Sequence, residues 1–344
     1  MKKRIVICAD GTWNRPENDV NEDFASNVLK LARAIKPFAD DGVSQQVFYD
    51  WGIASYYSTT LGGITGKGMH KNIMDNYRYI VQNYSEGDDI YLFGFSRGAY
   101  TVRALCGLIY NCGILKRHNA VMIQQAFDNY KKSSVQWSPK GKKSIAFRQK
   151  HSYPSNQVKF VGVWDTVGGM GIPISFLGLF EDKDEFYDTK IGQNVSVARH
   201  ALAIDEHRED FKVTLWKDKE GLDLKQVWFS GSHSDVGGSY QPDEDGSLSS
   251  DHTLEWMAKE ALIAGLESEG HLYEKLNINP LSKLHDSRRS FYRLKGRHFR
   301  KIDHGKTEVL IHPSVKQRWD LDSTYRPQNL KAYVDQKGWT GLLN

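Results

Sequence analysis

The stretch Ile90-Tyr91-Leu92-Phe93-Gly94-Phe95-Ser96-Arg97-Gly98-Ala99-Tyr100 limits most narrowly what this chain can fold into. A short apolar run, Ile90 to Phe93, ends in Gly-Phe-Ser-Arg-Gly, and Ala99, Val102, Leu105, Cys106 and Ile109 follow at helical spacing. Strand, sharp turn and helix with a serine at the apex is the context in which a G-x-S-x-G match carries weight. A residue at such an apex sits at strained backbone angles. A Cβ two residues to either side would collide with the neighbouring strand or helix, so Gly94 and Gly98 answer a demand for space. The free N–H groups at the start of the helix favour negative charge beside Ser96. The pattern alone also arises by chance, which keeps a plain structural turn as the alternative; the flanking strand and helix favour a nucleophile.

The rest of the chain fits around this unit. Arg4 to Ala9 reads as a buried first strand, followed by Asp10-Gly11-Thr12-Trp13-Asn14. Phe24, Val28, Leu31, Ala32 and Ile35 form a helical stripe, Gln45 to Trp51 a second strand, and Ile73, Tyr77, Ile80 and Tyr84 another helix. Between them, residues 52–68 form a long Gly/Ser/Thr/Tyr-rich loop of the kind that carries function. Val158 to Trp164 and Lys225 to Ser230 are further strands; residues 124–157 read as helix then loop, residues 195–207 as a helix, and Leu254 to Leu266 as a well-formed helical stripe. Alternating strands and helices imply an α/β protein with a mostly parallel sheet and helices on both faces. Ligands of such sheets bind beyond the C-terminal strand ends. Four polar clusters should therefore meet at one rim: Asp10-Gly11-Thr12, Ser96, Asp165-Thr166, and Gly231-Ser232-His233-Ser234-Asp235. With no internal repeat and no linker, the expectation is one domain over residues 1–270 and a C-terminal extension, residues 271–344, packed on it.

Composition excludes several classes. A net charge of +4 gives no argument for nucleic acid as a partner. Three cysteines, Cys8, Cys106 and Cys112, are too few for a disulfide framework, and buried free thiols are expected. Met1-Lys2-Lys3-Arg4 is basic, but the apolar stretch behind it ends at Ala9, too short for a signal peptide, and no run approaches the roughly 18 apolar residues of a membrane span. The expected place of synthesis is the cytoplasm, with export by a machine that reads no N-terminal signal left open. From Lys283 to Lys306, nine Lys/Arg stand against two Asp. Such a run is first a solvated face; a contact for anionic head groups or an acidic partner is the sharper alternative.

A nucleophilic serine needs a base to take its proton and an acid to orient the base. Ser96, Asp165 and His233 follow in the chain order of the α/β-hydrolases. Asp165 would hold the imidazole in one tautomer, and His233 would act as general base and then general acid. The oxyanion hole would use the backbone N–H of Arg97 and one from the Gly11-Thr12 loop. Rivals are present: Asp235 for the acid, His285 for the base, and Asp10 as a brace for the elbow. No H-E-x-x-H motif or cysteine pair supports a metal, and the chemistry calls for no cofactor. Gly237-Gly238 reads as a turn.

Several longer stretches are more specific than the elbow: Asp10-Gly11-Thr12-Trp13-Asn14, Gly87 to Ala99, Val163-Trp164-Asp165-Thr166-Val167-Gly168, Ala198 to Glu206, Val227 to Gly238, and His312-Pro313-Ser314-Val315. In these the chain resembles the uncharacterised α/β-hydrolase domain family that contains the first class of type VI secretion lipase effectors, which are phospholipases. The resemblance implies an α/β-hydrolase-like fold and the triad Ser96, Asp165 and His233. It implies a carboxylic-ester hydrolase, with a phospholipid substrate and phospholipase A-type cleavage favoured over a soluble ester. Large insertions for membrane engagement, common in those effectors, have little room here. The apolar residues 172–180, with Phe176 and Leu177, are the candidate lid, against a core-packed segment. The opposing class is a non-enzymatic α/β module that binds a lipid, glycan or partner protein. It has no need for Ser, Asp and His in this order.

Overall fold

The structure is a computed structural model. It describes residues 2–11, 14–18, 23–52, 66–167, 191–288, 292, 296–305 and 307–343. The strands among these are β1 (Lys3–Ala9), β2 (Ser44–Asp50), β3 (Asp89–Phe95), β4 (Val158–Trp164), β5 (Val195–Ala203), β6 (Asp223–Phe229) and β7 (Leu310–Ile311). They make one sheet in the order β2-β1-β3-β4-β5-β6-β7, and every pairing is parallel. The expected parallel α/β sheet is therefore present.

Apolar side chains leave both faces of the strands. Ile5, Ile7, Ile90 and Leu92 enter one core with helices α2 (Gly66–Asn83), α3 (Arg97–Cys112), α4 (Ile123–Tyr130) and α5 (Lys142–His151). Val6, Cys8, Tyr91, Phe93 and Phe160 enter the other, against α1 (Asn27–Ala34) and a second helix, Ser249–Ile263. With both faces covered, such strands read as continuous apolar runs, as they did in the sequence. Cys8, Cys106 and Cys112 are buried free thiols, as composition suggested.

Two assignments from sequence change. Residues 195–203 are not helical but form β5, hydrogen-bonded between β4 and β6. Val195, Ala198 and Leu202 fit a helical spacing, yet His200, Ala201 and Ala203 between and beyond them are buried as well. A strand flanked on both edges and covered on both faces has no polar side to betray its period of two. Residues 124–157 hold a second helix, α5, which buries only Ser144 and Phe147 and so left no apolar stripe to find.

Among the described residues the further helices are the short α6 (His233–Gly237), α7 (Ser249–Ile263), α8 (His271–Glu274), α9 (Pro313–Leu321) and α10 (Gln328–Lys337). The C-terminal residues add β7 to the sheet edge. Ile302, Ile311, Val315, Leu330 and Tyr333 pack there on Leu202, Ile204 and Trp228. Residues 53–65 and 168–190, including Phe176 and Leu177, lie outside the described residues, as does Thr12. Among the described residues no helix is long and apolar enough to cross a membrane.

Candidate active site

Ser96 caps α3 at the end of β3, with φ 56° and ψ −121°. A β-carbon at positive φ is strained, and such outliers concentrate at functional turns. The two flanking glycines are needed for the reason given by the sequence. A Cβ on Gly94 would stand 2.5 Å from the Gly98 carbonyl oxygen, and one on Gly98 would stand 2.1 Å from that of Ala9. The elbow is thus clamped to the end of β1. There Gly11 comes so near that a Cβ on it would lie 3.3 Å from the Ser96 Cβ.

Asp10 is the brace of this corner. Its carboxylate accepts from the Gly11 N–H (2.7 Å), Asn14 Nδ2 (3.1 Å), Ser26 Oγ (2.5 Å) and Tyr49 Oη (2.6 Å). Burial pushes its pKa up, against the pull of these donors. Because the Gly11 N–H is directed to Asp10, Gly11 serves the site by close approach.

Asp165 follows β4 and His233 opens α6 just after β6, so the four strand-end clusters meet at one rim, as the topology required. His233 Nδ1 donates to Asp165 Oδ2 at 2.6 Å. That fixes the tautomer and leaves Nε2 as the acceptor. Asp165 is also a positive-φ residue, φ 41°. The rings of Phe95 and Phe211 pack on the imidazole at centroid distances of 4.7 and 5.1 Å. Burial holds the His233 pKa below the ordinary histidine value despite Asp165, so the imidazole is neutral near pH 7. Ser96 Oγ and His233 Nε2 do not hydrogen-bond to each other among the described residues; catalytic contacts of this kind are commonly loose before substrate binds.

The rival acid and base are paired with each other. Asp235 and His285 bond to each other, Nδ1 to Oδ1 at 2.7 Å, and Asp235 also closes a capping box with Ser232 at the start of α6. Gly238 ends that helix, and a Cβ on Gly237 would stand 2.0 Å from the Phe95 ring, so this glycine pair packs the turn behind the site.

Two residues escaped the sequence. Arg300, fully buried, sets its fork on the carboxylate of Asp165: Nη1 to Oδ1 at 2.6 Å and Nη2 to Oδ2 at 3.0 Å. Burial alone would raise the Asp165 pKa. Arg300 and His233 outweigh it and hold the carboxyl well below the usual range. Glu206 receives the backbone N–H of His233 (3.3 Å), Ser287 Oγ (2.9 Å) and a two-point salt bridge from Arg208. Although burial opposes it, the Arg208 pairing brings its pKa down to about 2. Glu206 ends the Ala198–Glu206 stretch, which was its one signal. Arg300 sits inside the basic run read as a solvated face.

Comparison with known proteins places the chain in a family. The chain is 27% identical over 232 residues to the uncharacterized protein YEL023C of Saccharomyces cerevisiae; that match covers 61% of this chain and 32% of the relative. It spans about a third of the length of that curated relative. Among solved structures, an uncharacterized protein from Pseudomonas aeruginosa aligns at TM-score 0.48 with 15% identity, over 81% of this chain and 49% of that one. The Tle1 effector bound to the VgrG spike of the type VI secretion system aligns at TM-score 0.43 with 20% identity, over 70% and 52%. Residues 3–260 match the profile of the catalytic domain of Tle1-like type VI secretion phospholipase effectors, and the chain belongs to that family.

Proposed function

We propose that the chain is a serine carboxylic-ester hydrolase that cleaves phospholipids in a phospholipase A-type reaction through an acyl-enzyme. The observation that carries this is the 2.6 Å Asp165–His233 hydrogen bond, beside a serine held at strained angles on the elbow. In the reaction, Ser96 Oγ attacks the ester carbonyl carbon and His233 Nε2 takes its proton. The carbonyl oxygen, now negative, accepts from the backbone N–H groups of Arg97 and Thr12. As the intermediate collapses, His233 returns the proton to the departing lysophospholipid alkoxide, leaving the acyl group on Ser96. Water, deprotonated by the same imidazole, releases the fatty acid and restores the hydroxyl.

A phosphodiester beside the ester suits the Arg97 side chain. It belongs to the residue after the proposed nucleophile, burial brings its pKa to about 10, and its Nη1 is buried with no hydrogen-bond partner among the described residues. A phosphate oxygen would satisfy that donor; a neutral ester would not. Membership in a family of phospholipase effectors supports the same substrate class. Contact with the membrane surface would be peripheral, and Phe176 and Leu177 remain the proposed lid.

The test is product analysis by mass spectrometry after mixed phospholipid vesicles meet wild type and Ser96→Ala. Lysophospholipid and free fatty acid from wild type alone are expected, and the chain released names the position cleaved. Turnover of a short soluble ester without vesicle products would remove the phospholipid. Equal turnover by Ser96→Ala would remove the acyl-enzyme, and no turnover of either substrate would favour a binding module.

A further inference from the structure

We propose that Arg300 is a positioning residue of the catalytic centre, acting through Asp165: its guanidinium fork fixes the carboxylate in the plane His233 requires and balances its buried charge. The proposal rests on the assignment of Ser96, Asp165 and His233 above. It places a component of the site beyond residue 260, where the family match ends.

The geometry is a two-point ion pair at 2.6 and 3.0 Å between fully buried partners. The fork is itself held. Nη1 also donates to the Ala203 carbonyl at 2.9 Å and Nη2 to that of Phe211 at 2.6 Å, so the guanidinium cannot turn without losing both. Ala203 ends β5, and its N–H returns a hydrogen bond to Asp165 Oδ1 at 3.0 Å. Phe211 carries the ring that edges His233. One side chain thus sets the acid, the backbone beside the acid, and a wall of the base. Planar two-point recognition of a carboxylate is what arginine offers and lysine does not.

Charge makes the second half of the argument. A buried aspartate beside a neutral histidine is uncompensated; the pair would then draw a proton and leave His233 unable to act as a base. Arg300 supplies the missing positive charge. The other titratable and charged groups around the pair are Glu206 and Arg208 beside His233, the buried His200 beside Asp165 with Arg103 behind it, and Asp235 on α6 with its partner His285. None of these offers a second cation to Asp165 within hydrogen-bonding distance among the described residues. Removing Arg300 leaves their contacts in place and raises the pair's affinity for a proton, so His233 titrates at higher pH.

A purely structural role, stapling the C-terminal residues to the sheet, predicts loss of stability and nothing else. Two readouts separate the cases. The first is the pH titration of the downfield Nδ1–H proton resonance of His233 in wild type and Arg300→Met, which does not depend on activity. The expected result is a midpoint displaced upward by roughly one unit, the low end for losing a nearby opposite charge. The second is kinetics. Arg300→Met should lower kcat by about 100-fold with KM unchanged, the scale of a misplaced catalytic group, and move the acid limb of kcat/KM to higher pH. Arg300→Gly should recover activity with added guanidinium. Should Arg300→Met not fold, Arg300→Lys keeps the cation and loses the fork: its midpoint should stay near wild type while kcat falls. An unmoved midpoint in folded Arg300→Met overturns the charge assignment, and wild-type kcat in Arg300→Lys overturns the positioning. If a fluorophosphonate fails to label Ser96 in wild type while the Arg300→Met titration is displaced, the acyl-enzyme falls and only the charge balance that Arg300 gives the Asp165–His233 pair stands.

Discussion

The two halves of the proposed site are built by different means. The half of the proposed nucleophile, Asp10, Gly11, Gly94, Ser96 and Gly98, is shaped by backbone: a strained turn, glycines where a Cβ would strike a carbonyl, and one buried carboxylate tying loop ends together. The half that holds the proposed acid and base, Asp165, His233, Glu206 and Arg300, is shaped by charge, with partners 68 and 135 residues apart in sequence. Steric construction should fail by misfolding of the turn, and ionic construction by loss of charge balance. Removing the hydroxyl alone should therefore cost activity alone, whereas breaking either the steric or the ionic frame should cost activity and stability together.

The contrast is sharpest between Ser96→Ala and Asp165→Asn. Ser96→Ala should lower kcat about 10⁶-fold, as for other hydrolytic triads, with no loss of stability, since it relieves no contact and leaves no charge. A mutant melting well below wild type would break the distinction. Asp165→Asn should cost about 10⁴-fold in kcat through the wrong histidine tautomer. It should also cost about 3–5 kcal/mol, because Arg300 is left as a buried cation without its partner. Urea denaturation measures the second effect, and a stability within error of wild type would show the ion pair to be energetically idle.

Gly98→Ala tests the steric half. With only 2.1 Å to the Ala9 carbonyl, the helix must shift, at a cost of about 1–3 kcal/mol and with Ser96 displaced, so kcat and stability fall together. pH acts next. Asp165 has a depressed pKa, so its contribution is full above its unfolded value of about 3.9 and is lost as pH falls through the lower, folded one. Acid unfolding of wild type should therefore steepen below about pH 4, and Asp165→Asn should flatten it. The lowered His233 pKa places the acid limb of kcat/KM below about pH 6.5. The smallest effect belongs to Asp235→Asn. Loss of the cap and of the His285 contact should cost about 1 kcal/mol and reduce kcat far less than Asp165→Asn. An equal loss of kcat would reinstate Asp235 as the acid.

The same division governs what the sequence could reveal. The elbow and the strands around it were legible because each is local: an apolar run, two glycines, a helical stripe. The order Ser, Asp, His with strand-end logic then led to Asp165 and His233, and the hydrogen bond between them is present. Arg300 was not legible. Its chemistry looks like that of its neighbours in the run Lys283–Lys306, and only the fold distinguishes a buried guanidinium from a solvated one. Strand β5 was hidden for a related reason: burial on every side removes the contrast that periodicity relies on. Glu206 and His200 lay in a stretch that matched a family, but nothing local said that one would hold the backbone of His233 and the other would accept the N–H of Thr166.

The long reach from Asp165 to Arg300 also sets a clock. At ribosomal rates of roughly 5–20 residues per second, about 7–27 s of synthesis separate the codons of these two side chains. The elbow can form early, since β1 and β3 precede both. Asp165, however, emerges without its counter-ion and waits for Arg300, 135 residues later, before it can lie buried and charged. A ribosome-bound nascent chain should therefore hold the elbow in place before the proposed acid has its counter-ion, and activity would await the emergence of Arg300.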